Sequence, residues 1–376
     1  MLADAWAGHG EGDAARRIAV VVEREAGVLD AAARSQLTGL VARRAMGLGP
    51  LEPLLRDPEV DEILVSGTRP VWVERAGRLE RTDARFDGEQ ELRDTIERLL
   101  APAGRRVDDA EPLCDARLSD GSRINVVLPP LAVDGPLVTI RRFRPRGMSA
   151  GELVAAGSWS EPLCDLLAAA VRARLNILVS GGTGAGKTTT LGALAGFLGH
   201  EERVVTIEDT AELRLATQHV VRLEARPAGV DGRGEVTIRR LVRNALRMRP
   251  DRIVVGEVRG PEALDMLQAM ATGHDGSLCT IHAGSPAEAL RRLETLAMLA
   301  GVGLPHEAVR AQVADAIDLV VHQARIPGGG RRVVAVAEVT CVAGGAAARE
   351  VYAWRGGRPL MRPAPQLAAR LARDAT

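Results

Sequence analysis

Aromatic residues are scarce in this chain of 376 residues, because four Trp, one Tyr and three Phe make up only 2% of it. Proteins that hold unpaired nucleic acid stack successive bases on such rings. The 49 basic and 49 acidic side chains also give a formal net charge of zero. No overall field therefore attracts nucleic acid or an anionic membrane, and a channel for single-stranded nucleic acid is disfavoured.

Cysteine is also sparse, and its four copies are widely separated along the chain: Cys114, Cys164, Cys279 and Cys341. No two of them form a C-x-x-C pair, so the sequence supports neither a zinc module nor a disulfide framework. We expect buried free thiols in a reducing compartment.

Long apolar runs are missing as well. A membrane-spanning helix needs about 20 consecutive apolar residues, and the apolar stretch "LLAAAVRARLNILVSGG" is interrupted by Arg172 and Arg174. The first residues, "MLADAWAGHGEGDAARR", have no apolar core after a basic start and do not resemble a signal peptide. The sequence predicts a cytoplasmic protein that touches a membrane only through partners.

The first part of the chain divides into two predicted regions. Residues 1–47 form an N-terminal helical extension, because 12–46 read as two short helices separated near Gly27. Residues 48–146 are predicted to form a small α+β domain. Short runs such as "EILVSG", "RINVVLPP" and "PLVTIRRF" indicate strands between turns, and "GEQELRDTIERLLAPAG" indicates a helix among them.

The remainder is predicted to be a linker with one short helix, residues 147–160, followed by an α/β domain, residues 161–376. In that domain the apolar strands "LNILVSG", "RVVTIED", "DRIVVGE" and "GSLCTIHA" alternate with helices. Such alternation favours a parallel sheet that is covered on both faces. The last part is rich in β-structure, with a hairpin predicted over Gly328–Gly330 and a terminal helix.

A complete P-loop motif lies between the first of these strands and the helix that follows it. Its spacing is Gly181-x-x-x-x-Gly186-Lys187-Thr188, and the strand–loop–helix context is the one that the motif requires. Inward-facing amides of such a loop, together with the helix N-terminus, bind phosphate groups. The predicted ATP-binding residues of the loop are Gly181, Gly182, Thr183, Gly184, Ala185, Gly186, Lys187, Thr188 and Thr189.

Lys187 is the only lysine of the chain, since the other 48 of its 49 basic residues are Arg (49 − 1). The cradle needs a compact and flexible charge that reaches the β- and γ-phosphates, whereas the guanidinium is a planar fork with fixed donor directions. The one position that remains lysine is therefore the one where arginine does not fit.

Acidic residues follow two other predicted strands. "RVVTIEDT" contains Glu208 and Asp209, and "DRIVVGE" ends in Glu257. Because the carboxyl ends of parallel strands open onto the same crevice, we expect these carboxylates near the nucleotide. With the Thr188 hydroxyl they form the predicted Mg²⁺ set, partly through water, and either glutamate could be the general base.

Two histidines lie near the last strand of this series, His274 before it and His282 at its end in "GSLCTIHAG". An imidazole at that position could detect the γ-phosphate and couple it to movement, and a plain hydrogen-bonded loop histidine is the alternative. We favour the plain alternative for His274 and leave both open for His282.

Four segments together resemble the ATPases of the type II/type IV secretion superfamily. They are "SGGTGAGKTTTLGAL", "VTIEDTAEL", "LVRNALRMRPDRIVVGEVRGPEALDMLQAMATGHDGSLCTIHAGSPAEALRRLETL" and "DGSRINVVLPPLAVDGPLVTIRRF". The resemblance covers about residues 45–340 and is closest to the tight-adherence (Tad/Cpa) pilus ATPases. The chain lacks the tetracysteine module of the type II secretion branch, and Pro261 stands where that family usually has a second glycine.

That resemblance implies a RecA-like P-loop NTPase domain behind a small α+β domain, assembled as a hexamer that uses ATP and Mg²⁺. It assigns the Asp box to Glu208–Asp209, the end of Walker B to Glu257 and the His box to His282. The catalytic residues implied are Lys187, Glu208, Glu257, His282 and Arg141. Further contacts to ATP are implied for Arg123, Arg142, Arg247 and Arg259.

The function implied is a motor that assembles pilins or exports proteins together with inner-membrane platform proteins. A DNA-translocating or conjugation-related ATPase is the alternative, weakened by the zero charge and favoured only by the run "RRFRPR". A small-molecule kinase would leave the upstream domain and the His box without a task, and a scaffold without hydrolysis would leave Lys187 and the two glutamates without one. We therefore expect little interaction with nucleic acid.

Overall fold

The chain divides into two compact units, Met1–Arg144 and Pro145–Thr376. The computed structural model describes residues 19–26, 28–35, 37–38, 47–75, 77–143, 147–215, 217–226, 228, 233–326, 330–342, 344–362 and 364–373. Within the predicted N-terminal extension, residues 19–25 and 31–35 are helical. The remainder of the two predicted helices lies largely outside the described residues.

The first unit contains one antiparallel sheet of six strands in the order β3-β2-β1-β6-β5-β4. Its strands are β1 (Val60–Ser66), β2 (Trp72–Arg75), β3 (Arg78–Arg81), β4 (Leu113–Arg117), β5 (Arg123–Val127) and β6 (Leu137–Arg141), and its helices are α1 (Glu52–Arg56) and α2 (Glu89–Leu100). Alternate strand residues such as Ile63, Ile124 and Ile140 are buried with Leu92 and Ile96 of α2. The period of two therefore assigns one face of the sheet to the core of this unit.

The opposite face of this sheet carries a cross-strand row of arginines. Arg117 of β4 pairs with Arg123 of β5, which pairs with Arg141 of β6. Glu62 of β1 pairs with Arg141 and ends the row of cations. Directly opposed residues of an antiparallel pair have side chains on the same face, so strand pairing places three guanidinium groups side by side.

The second unit is built on a sheet of nine strands in the order β15-β14-β13-β12-β7-β11-β10-β8-β9. Its strands are β7 (Ile177–Gly181), β8 (Val204–Glu208), β9 (Val220–Glu224), β10 (Arg252–Val255), β11 (Leu278–His282), β12 (Leu319–Arg325), β13 (Arg331–Val342), β14 (Gly345–Arg355) and β15 (Arg358–Met361). Strands β7 to β12 are parallel, and the last three are antiparallel additions. This arrangement confirms the predicted α/β fold with a parallel core.

Helices cover both faces of the parallel strands. They are α3 (Ala150–Ala155), α4 (Glu161–Arg172), α5 (Lys187–Ala195), α6 (Ile238–Ala245), α7 (Glu262–Ala271), α8 (Pro286–Met298), α9 (His306–Ala316) and α10 (Pro365–Arg373). One core contains α6 to α9 and the other contains α4 and α5, and each takes alternate residues of the strands. Burial on both faces explains why these strands read as continuous apolar runs.

The segment 147–160, predicted to be a linker, belongs to the second unit. It does contain a short helix, α3, which Ser149 and Glu152 start with a reciprocal capping box. Leu153 and Trp159 are only 2% and 3% exposed and pack in the core with α4. The segment is therefore a structural part of that unit, because apolar side chains of this size are stabilised by burial.

The C-terminal part follows the predicted pattern of strands and a helix. β12 and β13 pair as an antiparallel hairpin. Of the turn predicted over Gly328–Gly330, residues 328 and 329 lie outside the described part of the chain. Helix α10 is attached to the unit by Leu367, which is 3% exposed, and by an ion pair of 2.6 Å between Arg370 and Asp318. Among the described residues, no helix combines the length and the apolar character needed to cross a bilayer.

Candidate functional site

The phosphate-binding loop connects β7 to α5 at the carboxyl edge of the parallel strands. Gly186 is the N-cap of α5 and has φ +95°, a left-handed conformation that favours glycine. It has no side chain to satisfy the first amides of the helix, so those amides are available to an anion. Gly181 allows the backbone of β7 to pack closely against β12, because a Cβ atom there would lie 2.4 Å from the backbone oxygen of Gln323.

Lys187 begins α5 and is only 8% exposed. Its Nζ donates to the backbone oxygen of Gly182 at 3.2 Å and lies 3.3 Å from Nδ1 and 3.4 Å from Nε2 of His282. The ammonium group is therefore directed back across its own loop, toward the end of β11.

A chain of polar contacts continues from His282 along the sheet edge. Its Nε2 lies 2.7 Å from Oε1 of Glu257, whose Oε2 accepts a hydrogen bond of 2.6 Å from Arg259. Arg259 also lies 3.6 Å from Asp209. The structure thus links Lys187 of α5 to residues that follow three different strands.

The surroundings of the His282 imidazole, taken together, oppose its protonation. Burial lowers the pKa of His282, the neighbouring Glu257 carboxylate opposes that change, and the Lys187 and Arg259 cations lower the pKa further. Neutral imidazole is also the form that accepts a hydrogen bond from an ammonium group. The pKa of Arg259 is raised, chiefly by its hydrogen bond to Glu257.

Glu208 ends β8 and is 3% exposed. Its Oε1 accepts hydrogen bonds from the backbone amides of Glu212 at 3.0 Å and Leu213 at 2.9 Å. Burial raises the pKa of Glu208, and these two amides oppose that effect. Its Oε2 is buried and has no hydrogen-bond partner within the described part of the chain.

The predicted Mg²⁺ site fits this donor set. Among the described residues, no three His, Cys, Asp or Glu side chains converge to hold a metal by themselves. Mg²⁺ usually takes one or two carboxylates and completes its shell with phosphate and water. The buried, unsatisfied Oε2 of Glu208 and the half-buried Thr188 at the start of α5 supply oxygens of that kind, with Asp209 and Glu257 as the further predicted carboxylates.

Of the other predicted ATP-binding residues, Gly182 to Ala185 lie between β7 and α5, and Thr189 is the third residue of α5. Gly182 and Thr183 are exposed, Gly184 and Thr189 are half-buried, and Ala185 is 2% exposed. His274 lies before β11, where its backbone oxygen accepts a hydrogen bond of 2.8 Å from Ser277. Its buried Nδ1 has no hydrogen-bond partner among the described residues, so this nitrogen does not join the polar chain.

The structure does not bring Arg247 to this edge. Arg247 follows α6 and donates to the backbone oxygen of Arg243 at 3.2 Å. The next residue, Met248, accepts a hydrogen bond from Arg203, which directly precedes β8. Because parallel strands begin at the edge opposite to their carboxyl ends, Arg247 lies on the far edge of the sheet.

The predicted arginines of the first unit have different environments. Arg123 and Arg141 share the cross-strand row described above. Arg142 instead donates through its Nη1 to the backbone oxygens of Asp57 and Val60. One nitrogen of its guanidinium group thus holds the start of β1, which distinguishes its environment from that of Arg141. The contact of Arg142 with ATP stays a prediction.

The structure also places residues at the loop that the sequence analysis did not identify. Gln323 of β12 is 2% exposed and accepts a hydrogen bond of 2.5 Å from Thr190 of α5. Nε of Arg325 donates to the backbone oxygen of Gly184 at 3.2 Å. No local motif marks these residues, since they reach the loop only because β12 pairs with β7 from more than a hundred residues away.

Comparison with known proteins places this site in a family. A model described as the type II/IV secretion system protein family matches residues 44–333. A putative conjugal transfer protein of Mycobacterium tuberculosis is 45% identical over 297 residues, covering 77% of this chain and 84% of the relative. The type IV secretion system protein PtlH of Bordetella pertussis is 38% identical over 315 residues, covering 76% and 91%.

A solved structure shares the fold. The ATPase DotB of Legionella pneumophila aligns with a TM-score of 0.53 and 21% identity over 77% of this chain and 81% of its own. At that identity the similarity is evidence for the fold alone, and it agrees with the α/β architecture.

Proposed function

The chain belongs to the type II/IV secretion system protein family, and from that premise we propose that it is a hexameric motor that hydrolyses ATP to drive protein export or pilus assembly. The observation that carries the proposal is the polar chain from Lys187 through His282 and Glu257 to Arg259 at the edge of the P-loop. A P-loop binds the triphosphate, and carboxylates at neighbouring strand ends orient water and metal.

We assign the general base to Glu257 and a positioning role to Glu208. A base must be ionised and must reach the attacking water. Glu257 is paired with two nitrogen partners, and its side chain is 16% exposed. Glu208 is buried, its pKa is raised, and one of its oxygens is held by two backbone amides. Of the two glutamates, Glu257 is therefore the one with charged side-chain partners and the more exposed side chain.

The remaining site residues have electrostatic roles in this proposal. Thr188, Glu208 and Asp209 would hold Mg²⁺, which when bound would neutralise negative charge on the triphosphate. Lys187 leaves His282 to contact the phosphates, so nucleotide binding changes the contacts of His282 at the end of β11. Arg141 and Arg123 supply positive charge to the triphosphate, and such a cation accelerates phosphoryl transfer by about 10³–10⁵ where it acts late in the reaction.

The specific machine that we propose is a tight-adherence type pilus or secretion system, with an inner-membrane platform protein as partner and the motor at the cytoplasmic face. A conjugation-related motor is the second candidate. It is favoured by the name of the mycobacterial relative, a putative conjugal transfer protein. It is disfavoured by the zero net charge and the scarcity of aromatic residues.

Steady-state release of phosphate by the purified full-length chain tests the proposal. We expect turnover with Mg·ATP without an added acceptor, its loss in Lys187→Ala, and a hexamer in size-exclusion chromatography with light scattering. Failure of the wild-type chain to bind Mg·ATP at millimolar concentration in any assembly state would overturn the proposal. Strong stimulation by single-stranded DNA would favour the conjugation-related candidate.

A further inference from the structure

The P-loop strand β7 lies between two neighbours with different chemistry at their carboxyl ends. On one side are β11, which ends in His282, and β10 and β8, which are followed by Glu257 and Asp209. On the other side is β12, which ends at Arg325 and continues through the hairpin to Arg331 of β13. The loop is therefore flanked by a carboxylate and imidazole cluster on one side and by arginines on the other.

The two arginines directly face each other across the hairpin. Arg325 and Arg331 are Cα partners in the antiparallel pairing of β12 with β13. Directly opposed like charges destabilise a strand pair. A pair of guanidinium groups in this arrangement suits an anion that binds between them, since phosphate accepts bonds from several such donors at once.

Both side chains also lie against the P-loop. Nε of Arg325 donates to the Gly184 backbone oxygen, and its Nη2 lies 2.6 Å from the position that a Cβ atom on Gly184 would occupy. The Cδ atom of Arg331 lies 3.4 Å from the corresponding position on Gly186. Gln323 locks the end of β12 to α5 through Thr190. The hairpin base is thus held against the loop glycines.

The direction of a nucleotide on this loop follows from that asymmetry. The γ-phosphate must approach the carboxylates and the water that they orient, so it points toward β11 and β10. The α-phosphate and ribose must then lie at the opposite end of the loop, toward β12. We propose that Arg325 and Arg331 form a second cationic contact, which binds the α-phosphate end of nucleoside di- and triphosphates.

This inference rests on the proposed function and adds that different residues contact the two ends of the triphosphate. Contacts to the α-phosphate are present in both ATP and ADP and remain after the γ-phosphate has left. Such uniform binding changes KM and the affinity for product rather than the chemical step. The arginine pair retains the nucleotide, whereas Lys187, Glu257 and His282 respond to the γ-phosphate.

Isothermal titration calorimetry with Mg·ADP tests this division on the full-length chain. We expect Arg325→Gln and Arg331→Gln each to weaken ADP binding by about tenfold, the typical effect of losing one charge-assisted hydrogen bond. KM for ATP should rise by a similar factor while kcat changes by less than about twofold. Arg325→Lys keeps the charge without the fork and should lie between wild type and Arg325→Gln.

Arg358→Gln is the matched control, because Arg358 is an exposed arginine of β15, three strands away from β12 in the sheet. It should bind ADP as wild type does. If both glutamine variants bound ADP with unchanged affinity, the inference would be overturned. The proposed function would still stand in that case, provided that the wild-type chain binds ATP. A loss confined to ATP would also overturn the inference, since the pair would then face the γ-phosphate. Absence of any binding to wild type would overturn both.

Discussion

The Nε2 atom of His282 lies 2.7 Å from Oε1 of Glu257, so the end of β11 contacts the proposed general base. Nζ of Lys187 lies 3.3 Å from Nδ1 and 3.4 Å from Nε2 of the same imidazole ring. In the proposed function, a bound γ-phosphate would compete for the Lys187 ammonium and release its contact with His282. The histidine would then connect occupancy of the γ-phosphate position with the position of the proposed base.

Glu257→Gln is expected to abolish steady-state turnover while ATP binding stays near the wild-type value. The amide preserves the size of the side chain and can still accept a hydrogen bond from Arg259, but it cannot take a proton. General-base catalysis contributes typically 10²–10⁴-fold, and a loss of that size should be seen in phosphate release. Calorimetry with a non-hydrolysable ATP analogue supplies the binding measurement.

Glu208→Gln is the comparison for that experiment. If Glu257→Gln kept its turnover and Glu208→Gln lost it with normal ATP affinity, the base would be Glu208. The expected result for Glu208→Gln is a lower affinity for Mg²⁺ in the presence of nucleotide, because an unpartnered buried carboxylate oxygen is replaced or reoriented.

The neighbours Arg141 and Arg142 should respond differently to alanine substitution. Arg141→Ala is expected to bind ATP almost normally and to hydrolyse it much more slowly, because its proposed cation acts late in the reaction. Arg142→Ala is expected to lower the free energy of unfolding by about 1–3 kcal/mol, since its charged hydrogen bonds to the backbone of Asp57 and Val60 are lost. Stopped assays of hydrolysis and urea denaturation separate the two effects.

Equal losses of stability in both variants would contradict this assignment. A wild-type rate of hydrolysis in Arg141→Ala would remove Arg141 from the proposed mechanism without affecting the structural role of Arg142.

The parallel core could be predicted from the sequence because the patterns that indicate it are local. Each core strand is a continuous apolar run, and the P-loop has a fixed spacing between a strand and a helix. The predicted linker at 147–160 illustrates the limit, because burial of Leu153 and Trp159 depends on the packing partner α4 rather than on the composition of the segment. Composition alone does not distinguish a short connecting helix from one that packs.

The site was predictable to a similar degree. Glu208, Glu257 and His282 follow strands whose parallel pairing could be anticipated, so their common edge followed from the pattern. Arg325 reaches the loop only through the pairing of β12 with β7, which no local signal indicates. The alternation of a strand does predict that consecutive residues face opposite sides, and it would have separated Arg141 from Arg142.

Gly256→Ala is expected to impair the site although the substituted residue itself carries no charge. A Cβ atom on Gly256 would lie 2.8 Å from Cγ of Glu208, so that side chain would have to move away from the amides of Glu212 and Leu213. Such overpacking costs about 1–3 kcal/mol, and turnover should fall together with the thermal midpoint.

Gly151→Ala is the matched control, because no atom lies within 4 Å of its added Cβ and the residue is in helix α3. It should retain full activity, with unchanged or slightly raised stability. Normal turnover in Gly256→Ala would show that Glu208 does not need its present position.

His322 predicts how the stability of the second unit depends on pH. It lies on β12, is 8% exposed, and its Nδ1 lies 3.0 Å from Oγ of Ser180 on β7. Burial lowers the pKa of His322 below the ordinary value of 6.5, and the Glu288 carboxylate opposes that change. Below pH 6.5 the unfolded chain therefore binds a proton more readily than the folded chain does.

The stability contributed by the neutral imidazole is then fully present above pH 6.5 and is lost as the pH falls toward the lower pKa of the folded state. We expect the thermal midpoint of the wild-type chain to fall between pH 7.5 and pH 5.5, and to fall less in His322→Asn, which cannot titrate. His200→Asn, at an exposed position, should keep the wild-type pH dependence. An equal fall in wild type and His322→Asn would show that other groups, such as His282, account for the whole effect.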